Sequence, residues 1–303
     1  PTSRTFSLIE TGEALDRGDE PSPTRSAVLV RLSHGHVRIG TFQRLAYLSD
    51  EDAMRRLVAY VLAELYGEPG SDPVRLLDLV VGRTATLASR YMAAGFVHGV
   101  LNSDNINVTG ESFDYGPWRF APTWDPAFTA AYFDHAGLYA FGRQPEAIHW
   151  DVMQLAASLR LIADSDPLIA LLEGFGARFQ AALTEALLWR LGVEPRGTQA
   201  DRELVRAWER ALHSTAAPLD RTFFDAFGGV LPASYGEPWA EMRAALAGYK
   251  PRKDRSGAYW AGEPCSMLID EVEAIWARIA EADDWSALHA KVAAIRAMGA
   301  ALA

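Results

Sequence analysis

The chain has 303 residues, a net charge of −10 at pH 7 and a single cysteine, Cys265. The negative charge argues against a nucleic-acid partner, because proteins that bind DNA or RNA displace counterions with a basic face. One cysteine excludes an internal disulfide and a cysteine-based zinc site, and it is typical of a reducing cytoplasm. No apolar run approaches the roughly 20 residues of a membrane span, so we expect no membrane partner.

The chain begins with short runs of β-branched and apolar residues. The runs "RTFSLIETGE" and "SAVLVRL" predict strands within the first part of the chain, up to about residue 45. The polar, proline-containing segment between them, "ALDRGDEPSPTR", predicts a surface loop or hairpin turn.

Helical patterns follow. Ser49 or Asp50 can cap a helix with an apolar stripe, and a second helix is predicted from Pro73 to a stop at Gly95. From Glu146 onward most of the chain has helical periodicity. Further helices are predicted near 176–191, 199–213, 237–248, 267–282 and 284–302.

Residues 98–116 read "HGVLNSDNINVTGESFDYG" and lie between the helical blocks. "INV" and "SFDY" predict two short strands joined at Thr109-Gly110. Asn105 and Asp114 would then present an amide oxygen and a carboxylate from neighbouring strands, which are ligands that Mg²⁺ prefers. Taken alone, the same residues are more typical of turns stabilised by their own side chains than of a metal site.

The order of features around this loop resembles the catalytic and metal loops of protein kinases. A helix, a His-Gly pair, an Asn and a hairpin ending in Asp-aromatic-Gly occur in the kinase order. The interval from His98 to Asn105 also matches, but Val100 stands where kinases have the catalytic Asp. Asp104 is the remaining candidate for a base, since it immediately precedes Asn105.

Two arginines precede this region in "VLVRLSHGHVRIGTF". Arg31 and Arg38 carry guanidinium groups that bind phosphate oxygens in bidentate fashion, although surface arginines also form weak ion pairs without function. His34 and His36 can share one strand face, as a metal pair needs, but ordinary polar packing explains them too.

At this point the sequence resembles a known family, selenoprotein O (SelO, also called YdiU), which is kinase-like and transfers AMP. The resemblance rests on "GFVHGVLNSDNINVTGESFDYGPWRF", "PTSRTFSLIETGE", "AVLVRLSHGHVRIGTF", "WDPAF", "DHAGLYAFGRQP" and "HWDVMQLAASL". It implies an α+β, protein-kinase-like fold that consists mostly of the helical large lobe with a small N-terminal β-containing remnant. Residues 1–47 would be the small-lobe remnant, 48–250 the large lobe with the loops at 98–116, and 251–303 a helical extension.

The resemblance also implies roles for individual residues. Asn105 and Asp114 correspond to the metal ligands, Asp104 to the base, and Arg31 and Arg38 to the arginines that hold the triphosphate. The expected cofactor is Mg²⁺ or Mn²⁺, with ATP as substrate and Ser, Thr or Tyr hydroxyls of proteins as acceptors, in a bacterial cytoplasm. A phosphotransferase with the same metal site and a non-catalytic, nucleotide-binding pseudokinase remain as alternatives.

Two departures from the family pattern limit these expectations. The family's glycine-containing nucleotide loop, strand lysine and partner glutamate lie upstream of "PTSRTF", so the isolated chain is expected to have little or no activity. The family's C-terminal tail with its Cys or selenocysteine is not recognisable, so Cys265 receives no redox role.

Overall fold

The computed structural model describes residues 2–16, 18 and 22–303. It has a two-stranded antiparallel sheet at the start of the chain, followed by a region that is mostly helical. The α+β class is therefore confirmed, whereas the kinase-like arrangement and the division into lobes stay predictions. Among the described residues no helix is long and apolar enough to cross a membrane.

The first sheet consists of β1 (Arg4–Leu15) and β2 (Thr24–Leu32), which confirms the two strands predicted from the apolar runs. The strands pair with Arg4 opposite Leu32 and Leu15 opposite Thr24. The predicted turn between them falls partly on residues 17 and 19–21, which lie outside the described residues. Large apolar side chains remain exposed along this sheet, including Phe6 and Ile9.

Eleven α-helices lie within the described part of the chain. They are α1 (Ile39–Tyr47), α2 (Glu51–Tyr60), α3 (Pro73–Ala94), α4 (Gln144–Leu159), α5 (Ser165–Glu173), α6 (Phe175–Leu191), α7 (Thr198–Thr215), α8 (Leu219–Ala226), α9 (Ala240–Leu246), α10 (Ile269–Ala282) and α11 (Ser286–Leu302). A π-helical turn, Val61–Leu65, continues α2, and two short strands, β3 (Phe96–Val97) and β4 (Arg119–Phe120), pair antiparallel after α3.

The predicted ends of α2 and α3 are confirmed. The Asp50 carboxylate accepts a hydrogen bond from the Ala53 N–H at 2.9 Å, as an N-cap does. Helix α3 has Pro73 in its first turn and ends at Gly95, whose φ of 69° lies in the left-handed region that favours glycine. Local sequence signals therefore define both helices.

Helix α1 begins within the segment where strands were predicted. Its residues Ile39 and Phe42 are completely buried and lie three positions apart, which is a helical spacing. Helix α1 packs against α4, and burial of its apolar residues in the helical core stabilises the helix. Main-chain hydrogen bonds place the first turn of α1 against the loop 98–116.

The buried apolar residues form two main clusters. One lies among α1 to α4 and includes Leu101, Ile106 and Val108 from the loop, while the other lies among α6 to α9 around Trp208 and Trp239. Three apolar side chains of the loop are buried in the first cluster. They anchor the loop backbone in the core on either side of the polar residues Asp104 and Asn105.

The predicted small hairpin within the loop is wrong. Its two segments pair with the N-terminal part of the chain instead of with each other: Asn107 forms an antiparallel bridge with Arg38, and Ser112 forms a parallel bridge with Thr2. Gly110 still makes a tight turn, with its N–H donating to the Asn107 carbonyl at 2.9 Å and a φ of 70°. The burial of the neighbouring apolar residues holds each segment against its distant partner.

Candidate active site

The loop is attached to the first turn of α1 by main-chain hydrogen bonds. The Ile39 N–H donates to the Ile106 carbonyl at 3.1 Å, and the Gly40 N–H donates to the Ser103 carbonyl at 3.0 Å. These bonds satisfy N–H groups that have no partner inside the helix. The residues between those carbonyls, Asp104 and Asn105, are thereby placed at the N-terminal end of α1.

Asp104 lies directly against Gly40. A Cβ atom at position 40 would overlap the Asp104 Oδ1 atom, so a larger residue there would require this exposed carboxylate to move. The Asp104 N–H donates to the Asn102 Oδ1 atom at 3.0 Å, and the residue is exposed. An exposed carboxylate is accessible to a hydroxyl group, as a general base must be.

Asn105 has its carboxamide fixed by the loop. Its Nδ2 donates to the Val100 carbonyl at 2.9 Å. With the amide nitrogen engaged, the Oδ1 atom remains as the acceptor, which is the atom that would bind a hard cation. The orientation of this amide therefore fits the predicted metal ligand.

The structure brings Arg38 and Asp114 together. One guanidinium nitrogen of Arg38, Nη1, lies 3.8 Å from the Asp114 Oδ2 atom, and the guanidinium lies over the Phe113 ring with its carbon 5.0 Å from the ring centroid. The Asp114 side chain is 50% exposed, and its backbone φ of 57° is in the left-handed region. A half-exposed ion pair contributes about 1 kcal/mol or less, so both groups can exchange partners readily.

Arg31 is more firmly engaged. Its Nε donates to the Ser3 Oγ atom at 2.8 Å, its Nη2 donates to the Ser3 carbonyl, and it lies 5.0 Å from the ring centroid of Tyr115. It is therefore beside the residue that follows Asp114, but its guanidinium also joins the start of β1 to the end of β2. Of the two arginines predicted to bind phosphate, Arg38 makes fewer contacts within the protein and is freer to bind a ligand.

A second set of contacts supports the loop and was missed by the sequence reasoning. The carboxylate of Glu111 accepts hydrogen bonds from the His34 N–H at 3.1 Å, His34 Nδ1 at 2.8 Å and the Thr109 hydroxyl at 3.0 Å. Burial alone would raise the pKa of Glu111, but these hydrogen bonds outweigh it and lower the pKa. His34 is thus a partner of Glu111, and His36 does not join it in a metal cluster.

His98, the first residue of the loop, is completely buried. Its Nε2 donates to the Phe113 carbonyl at 2.9 Å, because a carbonyl oxygen only accepts. Burial lowers the pKa of His98, which favours the neutral imidazole. The residue therefore acts as a neutral donor that fixes the peptide preceding Asp114.

The donor set suits a cation that shares its ligands with a substrate. Among the residues that the structure describes, no cluster of three or more His, Cys, Asp or Glu side chains could hold a metal. One amide oxygen and one carboxylate, on Asn105 and Asp114, are the set expected for Mg²⁺ that also takes water and phosphate oxygens.

Comparison with known proteins gives the class of the chain. The sequence profile of the family described as "Protein adenylyltransferase SelO" matches residues 1–232. The chain therefore belongs to the SelO protein adenylyltransferase family, as the motifs indicated.

Curated bacterial relatives carry the description "Protein nucleotidyltransferase YdiU". The protein from Gloeobacter violaceus is 40% identical over 97% of this chain, and that from Synechococcus elongatus is 49% identical over 80% of it. A Synechocystis relative is 34% identical over 94% of the chain. The chain spans 66%, 47% and 66% of the lengths of these three relatives, respectively.

Proposed function

We propose that this chain carries the metal- and phosphate-binding part of a Mg²⁺-dependent protein adenylyltransferase. The enzyme would transfer AMP from ATP to Ser, Thr or Tyr hydroxyls of other proteins, in a bacterial cytoplasm. Membership of the SelO family supports the reaction class. The observation that carries the site is the pairing of Arg38 with Asp114 next to the buried His98–Phe113 contact.

In the proposed reaction the acceptor hydroxyl oxygen attacks the α-phosphorus of ATP. The bond from that phosphorus to the bridging oxygen breaks, and pyrophosphate leaves with the electron pair. The hydroxyl proton passes to the carboxylate of Asp104, which is exposed and held against Gly40. Nucleotidyl transfer depends mainly on positioning and charge neutralisation, so a small number of fixed polar groups is sufficient.

Charge neutralisation falls to two sets of groups. The guanidinium groups of Arg38 and Arg31 would bind the β- and γ-phosphates and stabilise the charge that develops on pyrophosphate. Mg²⁺ held by Asn105 Oδ1 and the Asp114 carboxylate would neutralise further phosphate charge. A kinase-like fold would serve AMP transfer if ATP bound in the reverse orientation relative to kinases, as the family resemblance implies, so that the α-phosphate faces the acceptor hydroxyl.

Labelled ATP tests the proposal, with Mg²⁺ or Mn²⁺, on a purified protein that also includes the family's upstream nucleotide loop, because this chain alone is expected to have little or no activity. We expect label at the α-phosphate to appear on protein and label at the γ-phosphate to leave with pyrophosphate. Substitution Asp114→Ala should abolish the transfer, while Asp166→Ala, at an exposed position in the first turn of α5, should retain it.

Two results would contradict the proposal. Label retained from the γ-phosphate would indicate a phosphotransferase. Nucleotide binding without any transfer in a protein that includes the family's upstream nucleotide loop would indicate a non-catalytic pseudokinase, an outcome that Val100 in place of the kinase Asp would then explain.

A further inference from the structure

The side chain of Gln144, the first residue of α4, is completely buried and fully used. Its Nε2 donates to the Phe96 carbonyl at 2.8 Å, and its Oε1 accepts from the His98 N–H at 3.0 Å. Residues two apart on an extended strand direct their main-chain groups to the same edge. The carboxamide therefore binds β3 as the main chain of a neighbouring strand would.

The other edge of β3 is already occupied. Phe96 lies opposite Phe120 of β4, and the Ala121 N–H donates to the Gly95 carbonyl at 2.7 Å. Consecutive carbonyls of a strand point to opposite edges, so the Phe96 carbonyl faces away from β4. Without Gln144 this buried carbonyl and the His98 N–H would lose their partners, and leaving buried polar groups unpaired is unfavourable.

Both predicted metal ligands depend on the segment that Gln144 holds. On one side, His98 donates to the Phe113 carbonyl, which fixes the peptide that leads into Asp114. On the other side, the Asn105 amide donates to the Val100 carbonyl, two residues beyond His98. The orientation of the side-chain oxygens of Asn105 and Asp114 therefore depends on the position of the backbone between Phe96 and Val100.

We propose that Gln144 is a positioning residue for the metal site, because its carboxamide sets the place of the segment from which Asn105 and Asp114 are oriented. Gln144 touches neither predicted ligand, so its effect passes through His98 and Val100. The proposal rests on the proposed function, since it presupposes that Asn105 and Asp114 bind one cation.

The test measures Mn²⁺ affinity by electron paramagnetic resonance, with thermal unfolding recorded for every variant. Gln144→Glu keeps the acceptor for His98 but loses the donor to Phe96, whereas Gln144→Met loses both hydrogen bonds at similar volume. We expect both variants to bind Mn²⁺ about 10- to 100-fold more weakly at a temperature where they are folded, the range typical of residues that orient metal ligands. The control Gln180→Glu makes the same charge change at an exposed position of α6 and should keep the original affinity.

A merely structural role predicts a different pattern. In that case the variants at Gln144 would unfold at lower temperature but retain Mn²⁺ affinity while folded, and the inference would be overturned. Asn105→Ala and Asp114→Ala, measured in the same way, separate a failure of the metal site from a failure of the positioning role of Gln144. If they abolish Mn²⁺ binding and the Gln144 variants do not weaken it, only the positioning role fails; if they leave binding intact, the metal site fails and the positioning role with it.

Hydrogen–deuterium exchange of the unsubstituted protein gives a measurement that does not depend on whether the variants fold. If the segment held by Gln144 is coupled to the ligands, Mn²⁺ with ATP should slow exchange in peptides that cover Phe96–Val100. Unchanged exchange there under conditions where Mn²⁺ is bound would also overturn the inference.

Discussion

Asp151 is a buried acid with an unusual environment. It lies in the middle of α4, is completely buried, and neither of its carboxylate oxygens has a hydrogen-bond partner among the residues that the structure describes. Burial raises the pKa of Asp151 to about 8. The neighbouring Tyr139 also has a raised pKa, chiefly because of burial and then because of the negative charge of Asp151. At neutral pH Asp151 is therefore mostly protonated in the folded protein.

The effect on stability follows from proton linkage. An unfolded Asp has a pKa of about 3.9, so between about pH 4 and pH 8 the folded protein binds a proton that the unfolded chain has released. The free energy of unfolding then falls by about 1.4 kcal/mol for each pH unit in this window. The full loss above the window is roughly 6 kcal/mol, an upper limit because water entering the site would reduce it.

The substitution Asp151→Asn removes the titration at nearly constant volume. Asn also buries an amide without partners, but that unfavourable contribution does not vary with pH. The unfolding free energy of the variant minus that of the original protein should therefore rise by about 3 kcal/mol from pH 5 to pH 7. The comparison cancels other titrating groups that both proteins share.

Urea unfolding at pH 5, 6 and 7 measures this difference directly, with Asp166→Asn as the matched control at an exposed position. The control should show a difference from the original protein that varies little over the same range. If the difference for Asp151→Asn is also independent of pH, then Asp151 is ionised in the folded protein and the reasoning from its burial is refuted.

Two further substitutions test packing at the site and in the helical region. In a protein that also includes the family's upstream nucleotide loop, Gly40→Ala should lower the rate of the proposed AMP transfer by displacing Asp104, while leaving the unfolding temperature nearly unchanged. The control Gly176→Ala, where a Cβ meets no atom within 4 Å, should retain activity, and equal activities of the two variants would contradict the contact. Arg190→Met should reduce the unfolding free energy by about 3–5 kcal/mol in urea titrations, because it leaves the largely buried carboxylate of Asp220 without its partner. A loss below about 1 kcal/mol would show that this pair behaves like an exposed one.

Features with local causes were predictable from the sequence. Asp50, Pro73 and Gly95 act on the backbone within a few residues, so the start of α2 and both ends of α3 were predictable from residue type. The two strands of the first sheet also followed from their alternating composition. In each case the partner groups lie close in sequence, or the pattern itself repeats along the element.

Features that depend on distant partners were not predictable. The segments around Asn107 and Ser112 have the composition of a hairpin, yet they pair with Arg38 and Thr2, which are far away in sequence. Likewise α1 has strand-like residues, and its helical form follows from packing against α4. For the same reason the role of Gly40 could not be predicted, since no residue near it in sequence indicates that the Asp104 side chain lies against it.

The pairing of Arg38 with Asp114 has a consequence for how the site would bind its substrate. The two groups have opposite charge and are half exposed, so separating them costs about 1 kcal/mol or less. Charge-assisted hydrogen bonds from a guanidinium to phosphate are stronger than this exposed pair, and a carboxylate gains more from a divalent cation than from a single arginine. Binding of a cation together with a triphosphate would therefore give Asp114 and Arg38 stronger partners for a small cost in separating their ion pair. Binding of the cation alone would leave Arg38 unpaired, and binding of the triphosphate alone would leave Asp114 unpaired. On this reasoning the cation and the nucleotide should bind cooperatively, with Mn²⁺ affinity increased by ATP and that increase lost in Arg38→Met.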